Sequence, residues 1–252
     1  MIVGSIKEDI LLEKRVSITP ETAKNIISLG LSVCVEKNYA THIGILDKHY
    51  EEQGVKIYES SRDTIKKSDL LLKVNCPTDK EIETLKEKTS LIGIFNPTVN
   101  SNKLKEIVKK DINIFSLELL PRISRAQSMD VLSSQSNLAG YRSVIESIYE
   151  FEKAIPMMMT AAGTVPAAKV LVVGAGVAGL QAIATAKRMG AIVFATDVRM
   201  ASKEQVESLG GKFLTVEGTE NLETEGGYAK EASDDFKNKQ EELLSETLKK
   251  ID

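Results

Sequence analysis

Residues 169–197, KVLVVGAGVAGLQAIATAKRMGAIVFATD, constrain the fold of this chain more than any other stretch. A short run rich in Val and Leu leads into Gly174-Ala-Gly176-Val-Ala-Gly179. Helical spacing follows as far as Met189, where Gly190 stops it. A second apolar run, 192–196, ends on Asp197. G-x-G-x-x-G alone is weak evidence, but between a strand and a helix, with an acid closing the next strand, it has the setting of a dinucleotide-binding turn. Gly174 permits the tight turn, Gly176 lets a pyrophosphate approach the backbone, and Gly179 lets helix and strand pack closely. Val177 opens a helix whose free N–H groups and dipole favour an anion. Asp197 can accept both hydroxyls of a ribose and repel a 2′-phosphate, so this turn predicts NAD(H) rather than NADP(H). Arg199, two residues on, belongs to the same nucleotide-binding set and weakens that preference.

The first half repeats the same rhythm. IVGSI (2–6), SVCVE (32–36), LLLKVN (70–75), SLIGIF (90–95) and INIFSLE (112–118) read as strands, several apolar enough to be buried on both faces. Thr19-Pro20 opens a helix that Gly30 stops, and LKEIVKK (104–110) is another. From Leu132 to Ala154 the spacing becomes helical, with Leu138, Tyr141, Ile145, Ile148 and Phe151 on one side. MMMTAAGTVPAA reads as a small-residue linker, its Met157–Met159 as core or linker packing. After Asp197, KFLTVE (212–217) is a candidate third strand, and 234–250 a polar amphipathic helix. The reading is therefore α/β: two Rossmann-like parallel-sheet domains joined by a long helix, with an N-terminal domain over 1–131, a connection over 132–164 and a nucleotide domain over 165–252. A doubly wound domain usually has six strands in the order 3-2-1-4-5-6. Only half of that follows residue 165, so the second domain reads as truncated and the chain as a fragment of a longer one.

Composition narrows the class. A net charge of -3 offers no basic surface for nucleic acid. No apolar run reaches the roughly 18 residues of a membrane span, and the N-terminus turns charged too early for a signal peptide. Cys34 and Cys76 are isolated, which argues against a disulfide framework or a zinc site, and a reduced cytoplasmic protein is expected.

One stretch has no assigned role on this reading. PRISRAQSMDVLSS (121–134) gathers Arg122, Arg125, Gln127, Asp130 and Ser133 without a histidine, a cysteine or metal-ligand spacing. Arg122 and Gln127 can hydrogen-bond a carboxamide or phosphate, and Asp130 and Ser133 share a face if a helix has started there. Helix capping, with Ser124 and Gln127 three apart, explains the stretch equally well.

PRISRAQSMDVLSSQSNLAGYRSV, followed by AAGTVPAAKVLVVGAGVAGLQAI, resembles the NAD(H)-binding component, the alpha subunit, of proton-translocating NAD(P) transhydrogenases. The likeness runs from EKRVSITP (13–20) through LLKVN to EGGYAK (225–230). It implies two Rossmann-like domains around a cleft, a homodimer, and hydride delivered from NADH to NADP(H) on a separate domain. It also implies a membrane domain that couples transfer to proton movement, so the chain would be cytoplasmic, peripheral to the inner membrane through its partners, and inactive alone. By the resemblance, Arg122, Asp130 and Ser133 hold the nicotinamide, Gln127 reaches toward the NADP-bearing partner, and Tyr228 closes over the nucleotide from a mobile loop. Hydride passage between two nicotinamides needs rings held at roughly 3–3.5 Å and no proton transfer at the reacting carbons.

Two rivals remain. Alanine dehydrogenases are related, and Arg15 and Lys73 resemble the pair that grips a keto-acid carboxylate there, but the histidine expected after SLIGIF is replaced by NPTVN (96–100). In the transhydrogenase reading that pair is a remnant bound to acidic residues. His42 and His49 lie elsewhere and read as surface or helix-edge residues. The other rival is a non-catalytic NAD-binding module.

Overall fold

The structure, a computed structural model, describes residues 1–121, 123–216 and 233–252. It divides into two compact units, Met1–Asp130 and Val131–Asp252.

The first unit alternates strand and helix: β1 (Ile2–Ser5), α1 (Pro20–Ser28), β2 (Ser32–Glu36), α2 (Asp47–Glu51), β3 (Lys56–Tyr58), α3 (Ser61–Lys67), β4 (Leu70–Leu72), α4 (Asp79–Thr84), β5 (Ser90–Gly93), α5 (Ser101–Val108) and β6 (Asn113–Ser116). Every strand pairs in parallel, in the order β3-β2-β1-β4-β5-β6. Alternation along β4 shows both faces covered. Leu71 packs among Ile65, Ile82, Leu91 and Ile107, while Leu70 and Leu72 pack on the other face against a cluster built on Val3, Val33, Val35 and Tyr50. Thr19 caps α1 through a reciprocal box with Thr22, and Pro20 sits in its first turn. Gly30, at φ 81, lets the chain leave it.

The order 3-2-1-4-5-6 places a crevice beyond the carboxyl ends of β1 and β4, where chain connections depart in opposite directions. Here that place holds three buried charges. Lys73 Nζ donates to both oxygens of Glu81 (3.0 and 3.1 Å) and lies 3.6 Å from Glu8. The Val74 N–H donates to Glu8 at 2.7 Å. Burial raises the Glu8 carboxyl above its ordinary pKa, and the Lys73 ammonium and the Val74 and Asn75 amides do not fully counter this.

The second unit begins with α6 (Val131–Glu150), followed by β7 (Met158–Thr160), β8 (Gly163–Val165), β9 (Lys169–Val173), α7 (Val177–Arg188), β10 (Ile192–Thr196), α8 (Ser202–Ser208), β11 (Lys212–Phe213) and α9 (Asp234–Leu248). Its parallel sheet runs β11-β10-β9. The long helix expected as a free connection is packed within this unit, and Val144 shares a core with Ala182, Ile183 and Ala186 of α7. The segment read as a linker is an antiparallel hairpin, β7–β8. Met157, Met158 and Met159 are exposed on it, not packed in a core, because neither hairpin strand pairs with any further strand among the described residues. Asp252 N–H donates to Lys169 O (3.1 Å) on the edge of β9 away from β10, where a fourth strand is expected. Beside that edge a cavity of about 520 Å³ is lined by Val144, Ile148, Phe151, Val172 and Leu248, among others.

The buried triad makes a prediction. Lys73→Met leaves two buried carboxylates without their cation and should destabilise the protein by about 3–5 kcal/mol. A raised folded-state pKa means that the proton stabilises the fold. Glu8's contribution is present below its ordinary value and is lost as pH rises through the folded value. The deficit of the variant, measured by urea unfolding, should therefore shrink between about pH 8 and about pH 5. An equal deficit at both ends would exclude buried charge as its origin.

Candidate functional site

The chain leaves β9 at Val173 and reverses through Gly174, at φ 94, a left-handed conformation that favours glycine. Its N–H donates to Thr196 O at 2.8 Å, tying the turn to the end of β10. A Cβ on Gly179 would lie 1.8 Å from Gly174 O, so the first turn of α7 rests directly on the turn that precedes it. Gly176 differs: a Cβ there would meet nothing within 4 Å. It is the N-cap of α7, extended at φ -75 and ψ -167, and no side chain caps the helix. The first-turn N–H groups therefore face open space beside bare backbone, with positive dipole behind them, and Val177 begins that turn.

Asp197 follows the end of β10 and is held against the same turn. Ala175 N–H donates to its Oδ2 at 2.7 Å. Arg199 donates to Oδ1 from its backbone N–H (2.8 Å) and from Nε (2.9 Å), and to Oδ2 from Nη2 (3.0 Å). Burial opposes ionisation of this carboxyl, but the Arg199 guanidinium and the Arg199 and Ala175 amides outweigh it and hold the pKa below the ordinary value. Glycine turn, uncapped helix and ionised carboxylate thus meet in one place, and their donors and acceptors fit an anionic diphosphate next to a diol. Arg199 lies across the carboxylate that a ribose would use. Ala175 contributes through its N–H alone, a role that no side-chain pattern announces.

The 121–134 stretch folds as a 3₁₀ turn, Ser124–Met129, followed by α6. Ser124 and Gln127 form no capping box: the N-cap residue is Ile123, without a side-chain cap bond. Ala126 is buried and anchors the turn, leaving Gln127 exposed. Asp130 ends the turn, its N–H donating to Gln127 O (3.2 Å), so it precedes the helix that carries Ser133 and does not share a face with it. Gln127 and Asp130 belong to the first unit, and Ser133, Gly174, Gly176, Val177, Gly179, Asp197 and Arg199 to the second. Arg122 and Tyr228 lie outside the described residues.

Arg15 and Lys73 are both paired with acids: Arg15 Nη2 lies 2.6 Å from Glu13, and Lys73 bonds Glu81. The histidines are local fixtures. His42 Nε2 is 2.9 Å from Lys14 O, and His49 Nδ1 accepts the Leu46 N–H at the start of α2. Among the described residues no cluster of His, Cys, Asp and Glu could hold a metal ion, and no helix is long and apolar enough to cross a membrane.

Residues 4–139 match the family described as alanine dehydrogenase/PNT, N-terminal domain, and residues 143–252 match its C-terminal domain. The chain belongs to the alanine dehydrogenase/PNT family. Within that family it is 49% identical to the first portion of the NAD(P) transhydrogenase subunit alpha of Rickettsia prowazekii, across 99% of this chain and 66% of that protein. A solved transhydrogenase from Sinorhizobium meliloti is 49% identical at a TM-score of 0.81, over 85% of this chain and 64% of that one. An L-alanine dehydrogenase structure has the same fold at a TM-score of 0.74 with 22% identity, over 85% of this chain and 60% of that one. The chain thus spans less than two thirds of the length of each of these relatives.

The two glycines of the turn should separate fold from binding. Gly179→Ala drives a methyl into backbone, and overpacking of that kind costs about 3 kcal/mol. Its thermal midpoint should fall by roughly 6 °C or more. Gly176→Ala should lower the midpoint by about 3 °C or less, since alanine in place of a favoured N-cap residue costs about 1 kcal/mol. The added methyl nevertheless obstructs the approach to the helix amides. Equal midpoints for the two variants would contradict the close contact of Gly179 with Gly174.

Proposed function

We propose that this chain is the NAD(H)-binding component of an NAD(P) transhydrogenase, passing hydride from NADH to NADP held on a separate domain. The observation that carries this reading is the 49% identity to a portion of a transhydrogenase alpha subunit across 99% of the chain, against 22% to an alanine dehydrogenase of the same fold. In this reading Gly174, Gly176, Val177 and Gly179 hold the pyrophosphate at the start of α7, and Asp197 binds the adenosine ribose with Arg199 beside it. Arg122, Asp130 and Ser133 hold the nicotinamide, Gln127 reaches toward the NADP-bearing partner, and Tyr228 covers the nucleotide. When bound, the nicotinamide supplies the hydride. The residues orient the ring and exclude water, which is where such a reaction gains most of its rate.

Partners follow from the same reading: a second copy of the chain, an NADP-binding domain and a membrane-embedded subunit that couples transfer to proton movement, leaving this chain peripheral to the inner membrane on the cytoplasmic side. The ion pairs of Arg15 with Glu13 and of Lys73 with Glu81 speak against an alanine dehydrogenase-like carboxylate grip. Mixing the protein with an NADP-binding transhydrogenase subunit, NADH and oxidised NADP should give hydride transfer. NADH binding without transfer would leave a binding module, and turnover of pyruvate with ammonia would favour alanine dehydrogenase.

Two measurements refine the proposal. Titration of nucleotide fluorescence should show NADH bound roughly tenfold or more tighter than NADPH, because the Asp197 carboxylate repels a 2′-phosphate. Tighter NADPH binding would reverse the roles of Asp197 and Arg199. Gln127→Asn shortens the reach to the partner and should slow transfer by about tenfold or more, since misplacement by an ångström is enough for a large loss. Its NADH affinity should stay within about twofold of the parent. Weak NADH binding with normal single-turnover transfer would contradict the assignment.

A further inference from the structure

Gly140 lies in the middle of α6, a position where glycine is a poor choice for a helix and alanine the best one. Its surroundings explain the glycine. A Cβ there would lie 2.0 Å from Ala178 O, 2.8 Å from Ala178 C and 2.9 Å from Ala178 Cα. All three are backbone atoms, so no rotamer change relieves the clash. Ala178 stands in the first turn of α7, between Gly176 and Gly179 of the nucleotide turn. The long helix is therefore seated on the turn itself.

The two helices run the same way. Gly140 meets Ala178, and one turn further along both helices Val144 shares a core with Ala182. Ile148 and Phe151 then pack against the same core as Ala186. Ser133 precedes Gly140 by seven residues, which is two turns or about 10 Å along the axis. Seven residues return to within about 20° of the same face. Ser133 thus overhangs the N-terminal end of α7, in front of the amides beside Gly176.

We propose that Gly140 is a positioning residue for the nicotinamide half of the nucleotide: its missing side chain fixes the height of α6 on α7 and so the place of Ser133 over the glycine turn. This rests on the transhydrogenase reading above, in which Ser133 serves the nicotinamide. It adds a residue that touches neither nucleotide nor partner and acts through the helix.

The test compares NADH with ADP-ribose, which lacks the nicotinamide ring, on the full-length protein. Gly140→Ala lifts α6 from the turn. It should weaken NADH by about fivefold or more, the scale of one lost hydrogen bond, while ADP-ribose stays within about twofold. Adding Ser133→Ala to Gly140→Ala should cause little further loss, because both act at one place. Val144→Leu, a milder wedge one turn along, should show the same selective loss and decides the matter if Gly140→Ala does not fold. Equal weakening of NADH and ADP-ribose would make Gly140 a packing residue only and overturn the proposal, as would no weakening of either or additive losses with Ser133→Ala. If the unaltered protein bound ADP-ribose but gained nothing from the nicotinamide, the transhydrogenase reading would fall and this inference with it. That result appears in the parent protein, before any variant is made.

Discussion

The carbonyl oxygen of Gly174 lies 1.8 Å from where a Cβ of residue 179 would stand, and the second unit depends on that approach. Because α7 can rest on the turn, its uncapped N-terminus is presented at the carboxyl end of β9 and not a side chain's breadth away from it. The same seating brings Ala175 N–H to Asp197, linking turn and neighbouring strand. Gly140 repeats the device on the outer side of α7, where α6 meets the backbone of Ala178. Two absent side chains thus stack strand turn, nucleotide helix and long helix with almost no slack. Backbone against backbone has no rotamers to adjust, so the spacing is fixed more firmly than leucines would fix it.

The two parallel sheets treat their carboxyl ends differently. In the second unit the end of β9 stays open, with bare glycine and uncapped amides. In the first, the crevice between β1 and β4 is filled from within: Glu8 takes the Val74 amide, and Lys73 is shared between Glu8 and Glu81. A carboxylate satisfied by an ammonium and a backbone N–H is what a bound anion would look like, and here the chain supplies it. The arrangement costs desolvation, as the upward shift of Glu8 records, and it leaves little affinity for an outside carboxylate. Fold alone therefore does not distinguish a nucleotide unit from a filled one; the charges at the switch point do.

How much of this was legible in the residues depends on length and on partners. The glycine turn, β9, α7 and β10 were readable because periodicity, glycine spacing and the closing acid agree. The helices α2, α3, α4 and α8 run only five to seven residues, too short for periodicity to emerge. Two of them nevertheless carried readable caps, Ser60 before α3 and the Thr78–Glu81 box at α4. The Met157–Met159 run misled because methionine usually fills a core, whereas here it decorates a hairpin. At 121–134 the spacing allowed a capping box, yet Ile123 takes the cap position and Ser124 enters a 3₁₀ turn. Asp197 and Arg199 were visible as a pair of opposite preferences. Their mutual bonding was not, because a two-residue separation says nothing of where a guanidinium will lie.

The disposition of titratable groups bears on the kind of reaction the chain can serve. A dehydrogenase acting on an alcohol or amine needs an acid or base beside the reacting carbon. Histidine is the usual choice near neutrality, but both histidines here are engaged at the Lys14 carbonyl and the Leu46 amide. Glu8 has the raised pKa that a proton carrier needs, yet its oxygens are taken by Lys73 and Val74. Asp197, the acid at the glycine turn, is shifted the other way and remains an acceptor through the neutral range. What surrounds the open turn is therefore suited to holding and aligning a nucleotide. Hydride passing between two nicotinamides asks for alignment and for no proton, and it is the redox step best matched to a site furnished in this way.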